Sequence, residues 1–170
     1  MKRIPAGLKA TAAVLGATAA LLIAGSPAQA GTYSVTSNCD VSWISCANEP
    51  DLWEMYNSKA NSGSGGNYTT SWASFYGDVD DYSGTSQYQG STLETYRYVF
   101  NGNGSGSGQA VKNNAGSIQN CSETDNYRVY YNSSYAGHSQ YIGHRDAYGS
   151  CVWDDLDSTL QNNEASQHFA

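Results

Sequence analysis

A five-residue pattern occurs twice in the chain, as Asn113-Asn114-Ala115-Gly116-Ser117 and as Asn162-Asn163-Glu164-Ala165-Ser166. A strand-like piece precedes each copy, Met55-Tyr56-Asn57-Ser58 in the first half and Tyr130-Tyr131-Asn132-Ser133 in the second. Because these landmarks recur in the same order, the sequence predicts a duplicated unit. The distance from Tyr56 to Asn113 is 57 positions and that from Tyr131 to Asn162 is 31, so the first unit carries 26 extra residues.

Residues 1–30 have the features of a cleaved signal peptide. They combine a basic start, an apolar run over residues 10–25 and the small-residue site Ala28-Gln29-Ala30. The apolar run is shorter than the roughly 20 residues that a membrane-spanning helix needs. We therefore expect a secreted, extracellular protein that starts at Gly31 and is not attached to a membrane after cleavage.

The expected mature chain is acidic. Three of the eight Lys and Arg residues, and none of the fifteen Asp and Glu residues, lie in residues 1–30, which leaves five minus fifteen, or a net charge of −10. Such a balance argues against a nucleic-acid partner, because the phosphates need a basic surface. It favours solubility or a cationic partner.

All four cysteines lie after residue 30, and an even number in an exported chain favours two disulfides over a metal cluster. Three connectivities can be drawn. We favour Cys39–Cys46, which closes a short N-terminal loop, and Cys121–Cys151, which joins the two ends of the later repeat. The abundance of aromatic, Gly, Ser and Asn residues predicts a single all-β domain over residues 31–170.

The clearest predicted strand is 127–132, where Tyr127, Val129 and Tyr131 alternate with Arg128 and Tyr130. Further strand signals lie at 52–56, 68–76 and 95–100. A polar loop is expected from Asp78, Asp80 and Asp81 through 84–90. The chain contains neither Gly-x-Ser-x-Gly nor His-Glu-x-x-His, and we expect no enzymatic activity.

The spacing Tyr130-x-x-x-x-Tyr135-x-Gly137, followed by Asn162-Asn163-x-x-Ser166, resembles a βγ-crystallin Greek key. One aromatic ring packs over the hairpin corner, and Gly137 permits a turn that a Cβ would disfavour. With the signal peptide and segment 106–115, the chain looks like the secreted actinobacterial proteins of peptidase inhibitor family I36. The resemblance implies a disulfide-stapled sandwich of two Greek keys, one over about residues 48–120 with insertions and one over about 126–170.

The resemblance also implies a function, which is the inhibition of an extracellular peptidase, in the first place a metallopeptidase. We expect the inhibitor to be a monomer. Calcium would be held by oxygen atoms of both pentapeptides, from Asn113, Asn114, Ser117, Asn162, Asn163 and Ser166. The same side chains could instead cap turns by bonding to the backbone.

An inhibitor needs an exposed segment that is held rigid before binding. The candidate is 149–155, where Cys151 anchors the chain while Val152 and Trp153 offer apolar side chains. Its alternative is a core strand with Trp153 buried. Two other functions stay open. One is a calcium-stabilised structural or glycan-binding module, and the other is an antimicrobial toxin on the same scaffold.

Overall fold

The computed structural model describes residues 30–64 and 67–170, so residues 1–29 of the expected signal peptide lie outside the described part. Strands dominate, and the helical segments in the described part are two 3₁₀ turns, at Asn38–Asp40 and Lys59–Asn61. The predicted all-β class is confirmed. In the same residues, no helix is long and apolar enough to cross a membrane.

The described residues form twelve strands. In chain order they are β1 (Gly31–Val35), β2 (Leu52–Met55), β3 (Gly63–Ser64), β4 (Asn67–Tyr68), β5 (Trp72–Phe75), β6 (Thr85–Gln89), β7 (Thr92–Tyr98), β8 (Ser117–Asn120), β9 (Tyr127–Asn132), β10 (Ala136–Ile142), β11 (Val152–Asp155) and β12 (Ser166–Phe169). The predicted strand at 127–132 is β9, and its Tyr127 and Val129 are buried as the alternation requires.

Two antiparallel sheets form the body of the molecule, and they exchange segments between the halves. One sheet has the order β11-β8-β2-β5 and the other has the order β10-β9-β12. Strand β11 belongs to the second half but pairs with β8 of the first. In return, Val79 of the first half pairs with Gln167 on β12. Each half thus contributes a segment to the sheet of the other, which ties the halves together.

The core is formed by the alternating inward side chains of these two sheets. Leu52, Phe75 and Ile118 come from the four-stranded sheet, and Tyr127 and Val129 come from the other. All five are fully buried. Each such side chain contributes about 1.5–3 kcal/mol relative to its exposed state.

A third sheet contains β1, β7 and β6 in that order, with β1 parallel to β7 and β6 antiparallel to it. Strands β6 and β7 come from the extra residues of the first half. The prediction of a polar loop at 84–90 is therefore wrong for Thr85–Gln89, whose side chains are mostly exposed. Strand prediction relies on apolar residues at every second position, which face a core. An exposed hairpin such as β6–β7 has little core to face, so its sequence need not show that alternation.

Candidate functional site

The two pentapeptides form loops with the same backbone geometry, which we call the first loop (113–117) and the second loop (162–166). Asn113 has φ 63° and Asn162 has φ 58°, in the left-handed region that Asn tolerates better than most residues. The loops also bond to each other. The Asn113 N–H donates to Glu164 O and the Asn162 N–H donates to Ala115 O, both at 2.9 Å. This reciprocity supports a duplication.

The other matched positions of the loops hold the backbone. Asn114 Nδ2 and Asn163 Nδ2 each donate to the carbonyl two residues before, at 3.0 and 3.1 Å. Ser117 Oγ donates to Asn57 O at 2.8 Å, and Ser166 Oγ donates to Asn132 O at 2.7 Å. Because Asn57 and Asn132 occupy equivalent places after β2 and within β9, each loop closes on its own strand in the same way.

These bonds determine what the six predicted calcium ligands can offer. The hydroxyls of Ser117 and Ser166 also accept an N–H, from Trp153 Nε1 and from Tyr135 N, both at 3.1 Å. All six side chains are neutral, and the carboxylate of Glu164 accepts backbone N–H groups. As folded, the side chains of Asn114, Ser117, Asn163 and Ser166 bond to the backbone, so the six residues fit the roughly six to eight oxygens of a calcium shell poorly.

In the described part of the chain, no group of three or more His, Cys, Asp or Glu side chains is placed to hold a metal ion.

Both disulfides pair as the sequence analysis favoured, which confirms that prediction. Cys39 bonds to Cys46 beside the first 3₁₀ turn, and Cys121 bonds to Cys151. The second bridge joins the chain just after β8 to the chain just before β11. Two such bridges are typical of extracellular proteins.

The segment between β10 and β11, residues 143–151, carries the most exposed aromatic side chain described, and we call it the Tyr148 loop. Tyr148 is 93% exposed. Asp146 shapes the turn beneath it, because its Oδ1 accepts the N–H of Tyr148 and of Ser150, both at 2.9 Å. The Asp146 N–H donates to Ser150 O, and the Gly149 N–H donates to Asp146 O, again at 2.9 Å.

Arg145 fixes the Tyr148 loop to the body of the protein. Its backbone N–H donates to Ser122 O at 2.9 Å, and its Nε donates to Cys121 O. Its Nη1 donates to Gly149 O at 3.1 Å within the loop itself. Together with the bridge to Cys151, these bonds order the loop before any partner arrives.

The predicted inhibitory residues lie differently from the expectation. Cys151 ends the Tyr148 loop, but Val152 and Trp153 belong to β11, pair with β8 and are half-buried. Trp153 Nε1 donates to Ser117 Oγ. The strand of the alternative is observed, but Trp153 is half-buried on it and does not lie in the core, while the polar residues before Cys151 form the loop.

Aromatic residues also cover the outer side of the four-stranded sheet. Trp153 and Trp53 both stand opposite Gln119 in the strand register. Trp53 lies nearly parallel to Trp72, with ring centroids 6.0 Å apart at 13°. The Tyr68 ring meets Trp72 and Trp153 at 61°. Gln119 Oε1 lies buried there without a hydrogen-bond partner in the described residues. We call these rings the tryptophan face.

The sequence analysis missed Tyr148, Arg145 and Asp146. The signal was present as Asp146-x-Tyr148-Gly149-Ser150, since Asp followed by Gly three residues later is turn chemistry, and here it directly precedes a bridged cysteine. An aromatic residue inside such a turn has no strand partner and must point outward. No family model, no curated protein and no solved structure matches this chain.

Proposed function

We propose that the protein is a secreted, non-enzymatic peptidase inhibitor that docks on an extracellular peptidase as a monomer through the Tyr148 loop. The observation that carries the proposal is an aromatic side chain, 93% exposed, on a loop braced by Asp146, Arg145 and a disulfide. A loop ordered in advance loses little conformational entropy on binding, and aromatic residues dominate binding energy at interfaces.

The proposed scaffold is a pair of interlocked βγ-crystallin-like Greek keys. In both halves the fourth strand lies beside the first and the first beside the second, as β8-β2-β5 and β12-β9-β10. The third segments, at Val79 and β11, lie in the opposite sheets. At the corner of the second key, the Tyr130 and Tyr135 rings are 6.2 Å apart, and Gly137 has φ 84°. These features support the proposed topology.

A cleft of about 560 Å³ lies beside the Tyr148 loop and shares Arg145 with it. Its lining includes four carboxylates, Glu49, Asp51, Glu123 and Asp125. Negative charge next to the docking loop would attract a peptidase whose active-site rim is basic, and would raise the rate of association at low salt.

The proposal is tested by titrating the purified mature protein against thermolysin-like, subtilisin-like and chymotrypsin-like peptidases. We expect stoichiometric inhibition of at least one, the thermolysin-like metallopeptidase first. Tyr148→Ala should weaken inhibition roughly thirtyfold or more, since a central aromatic anchor contributes about 2 kcal/mol or more. Its melting temperature should not change, because the side chain is exposed.

Tyr88→Ala is the matched control, since Tyr88 is 67% exposed on β6, away from the loop. This variant should inhibit as the wild type does. Full activity of every peptidase in the presence of excess protein would contradict the proposal. Equal inhibition by the wild type and by Tyr148→Ala would assign inhibition to another surface.

The tryptophan face favours a second candidate, a structural or glycan-binding module stabilised by calcium. Half-buried indoles beside an unpaired amide oxygen offer stacking for a sugar ring and one hydrogen-bond acceptor. Chitin and peptidoglycan fragments should then quench tryptophan fluorescence, and Trp72→Ala should abolish the quenching. Because the loop ligands are neutral, calcium should raise the melting temperature only at millimolar concentration, on the order of 10⁻³ M.

A further inference from the structure

Two glutamates are fully buried where the two halves meet. Glu54 lies on β2 of the first half and Glu164 lies in the second loop, and neither is exposed to solvent. Glu164 Oε1 accepts the N–H groups of Asn114 and Ala115 in the first loop, at 3.0 and 2.9 Å. One oxygen of each carboxyl, Oε2, has no hydrogen-bond partner among the described residues. The inference drawn from this pair is independent of peptidase inhibition.

The Tyr82 hydroxyl makes two short contacts, and each contact needs a hydrogen. Because the hydroxyl carries only one hydrogen, the second must come from a protonated Glu54. The Tyr82 hydroxyl lies 2.7 Å from Glu54 Oε1 and 2.6 Å from Gln167 Oε1. Gln167 Nε2 is oriented by Gly77 O at 2.8 Å, so the amide presents its oxygen, an acceptor, to Tyr82. A phenol has one hydrogen to donate. If it goes to Gln167, the contact with Glu54 needs a hydrogen on Glu54.

Among the residues that the structure describes, no positively charged side chain is paired with Glu54 or Glu164 to replace that proton. The ionisable groups facing Glu54 and Glu164 are each other and Tyr82. Tyr127 on β9 acts on Tyr82 in turn and donates to Asp51, which directly precedes β2. Among the described residues, the salt bridges of Lys112 and His138 are made to Asp81 and Asp157. Burial raises the pKa of Glu54 from 4.5 to about 8. Burial, and then the charge of Glu54, also raise the pKa of Glu164.

We propose that Glu54 is a proton-dependent latch between the two halves, closed while Glu54 carries a hydrogen and loosened when alkaline solution removes it. The hydrogen bonds from Glu54 to Tyr82 and from Tyr82 to Gln167 connect the first half to the second. Ionisation of Glu54 therefore breaks a contact between the two halves. Because the folded pKa lies above the unfolded value, this stability is complete below about pH 4.5 and is lost as the pH rises towards 8.

The experiment is urea unfolding of the oxidised mature protein at pH values from 4 to 9. Over the window from about pH 4.5 to 8, the unfolding equilibrium constant should rise by up to roughly tenfold per pH unit. Glu54→Gln cannot ionise, and its amide can donate to Tyr82 in place of the acid. This variant should lose the part of the slope that Glu54 contributes, up to roughly tenfold per pH unit, and keep any part that Glu164 contributes. Its unfolding constant at pH 8 should be lower than the wild-type value by ~100-fold or more.

Glu123→Gln removes an exposed carboxylate and should keep the wild-type slope. Infrared spectroscopy of the wild type is a direct measurement that does not depend on a stable variant. The band of a protonated carboxylic acid should be present at pH 6. That band should disappear towards pH 9. A wild-type slope retained by Glu54→Gln, or the absence of the band at pH 6, would overturn the proposal. A slope that vanishes on adding a chelator would also overturn it, because a cation would then neutralise the pair.

Discussion

The first and second loops have one backbone geometry, but different side chains pack against it. In both, the N–H of the fourth residue donates to the strand of its own half, from Gly116 to Met55 O and from Ala165 to Tyr130 O, each at 2.8 Å. Where the first loop has Ala115, the second has Glu164, which reaches across to the first loop. The comparison teaches that the two Asn positions and the Ser position determine the backbone geometry of the loop. The two positions between them differ according to what packs against each loop.

The hairpin corners of the halves differ more than the loops. In the second half a short corner joins β9 to β10, with Ser134 and Tyr135 at φ 58° and 59°. In the first half the chain instead enters a 3₁₀ turn at Lys59–Asn61 and the β3–β4 pair before β5. The backbone of Asn57 and Ser58 lies directly over Gly116, whereas the equivalent position of the second loop, Ala165, carries a Cβ.

The largest expected difference between the loops follows from that contact. A Cβ at Gly116 would lie 2.7 Å from both Asn57 C and Ser58 N, so the backbone must shift. Gly116→Ala should lower the free energy of unfolding by roughly 3 kcal/mol, the upper range for overpacking. The reciprocal change, Ala165→Gly, should cost about 1 kcal/mol through lost packing and greater unfolded-state entropy.

Urea unfolding at constant pH measures both variants, and an unchanged denaturant dependence would show that the compactness of each state is preserved. Losses of equal size would mean that the two loops are packed alike. The comparison of the corners would then fail, since the backbone of Asn57 and Ser58 would not constrain Gly116.

Much of this fold could be predicted from the sequence, because duplication and alternation are local signals. Strand β9 and the two equivalent loops follow from residue spacing, and the disulfide pairing is the one favoured among the three that the sequence allows. The third sheet could not be predicted in full, since the polar side chains of β6 lie on an arm with little burial. Nor does any local pattern place Tyr68 on the tryptophan face, where its ring meets Trp72.

The predicted site was harder to place than the fold. The loop residues Asn114, Ser117, Asn163 and Ser166 were found together, but their bonding to backbone carbonyls depends on where β2 and β9 end. Burial of Glu54 is a tertiary effect as well. Its equivalent on β9 is Val129, so a strand pattern alone gives an acid no reason to face the core.

The next difference concerns the hydroxyl that closes each loop. Ser166→Ala removes the bonds to Asn132 O and from the Tyr135 N–H, both backbone groups, and should lower the free energy of unfolding by about 2 kcal/mol. Ser117→Ala removes the bonds to Asn57 O and from Trp153 Nε1. Because Trp153 is half-buried and its indole N–H can reach water, this loss should be about 1 kcal/mol.

Thermal unfolding of the two serine variants in one buffer compares them directly. A greater loss for Ser117→Ala would show that the Trp153 indole depends on Ser117 more than the Tyr135 amide depends on Ser166. The tryptophan face would then be the more rigid of the two surroundings.

The smallest expected difference lies at the first Asn of each loop, where glycine would relieve the left-handed backbone but add unfolded-state entropy. Asn162→Gly should therefore change the free energy of unfolding by less than about 0.5 kcal/mol. Asn113 has a further role, because assigning its side-chain nitrogen to the side of the second loop lets it donate to Asn163 O and Glu164 O at 3.2 Å, which satisfies both atoms of the amide. Asn113→Gly should accordingly cost about 1 kcal/mol. Equal values in urea unfolding would show that the Asn113 amide adds nothing between the loops, and that the backbone bonds and the Glu164 carboxyl hold the two repeats together there.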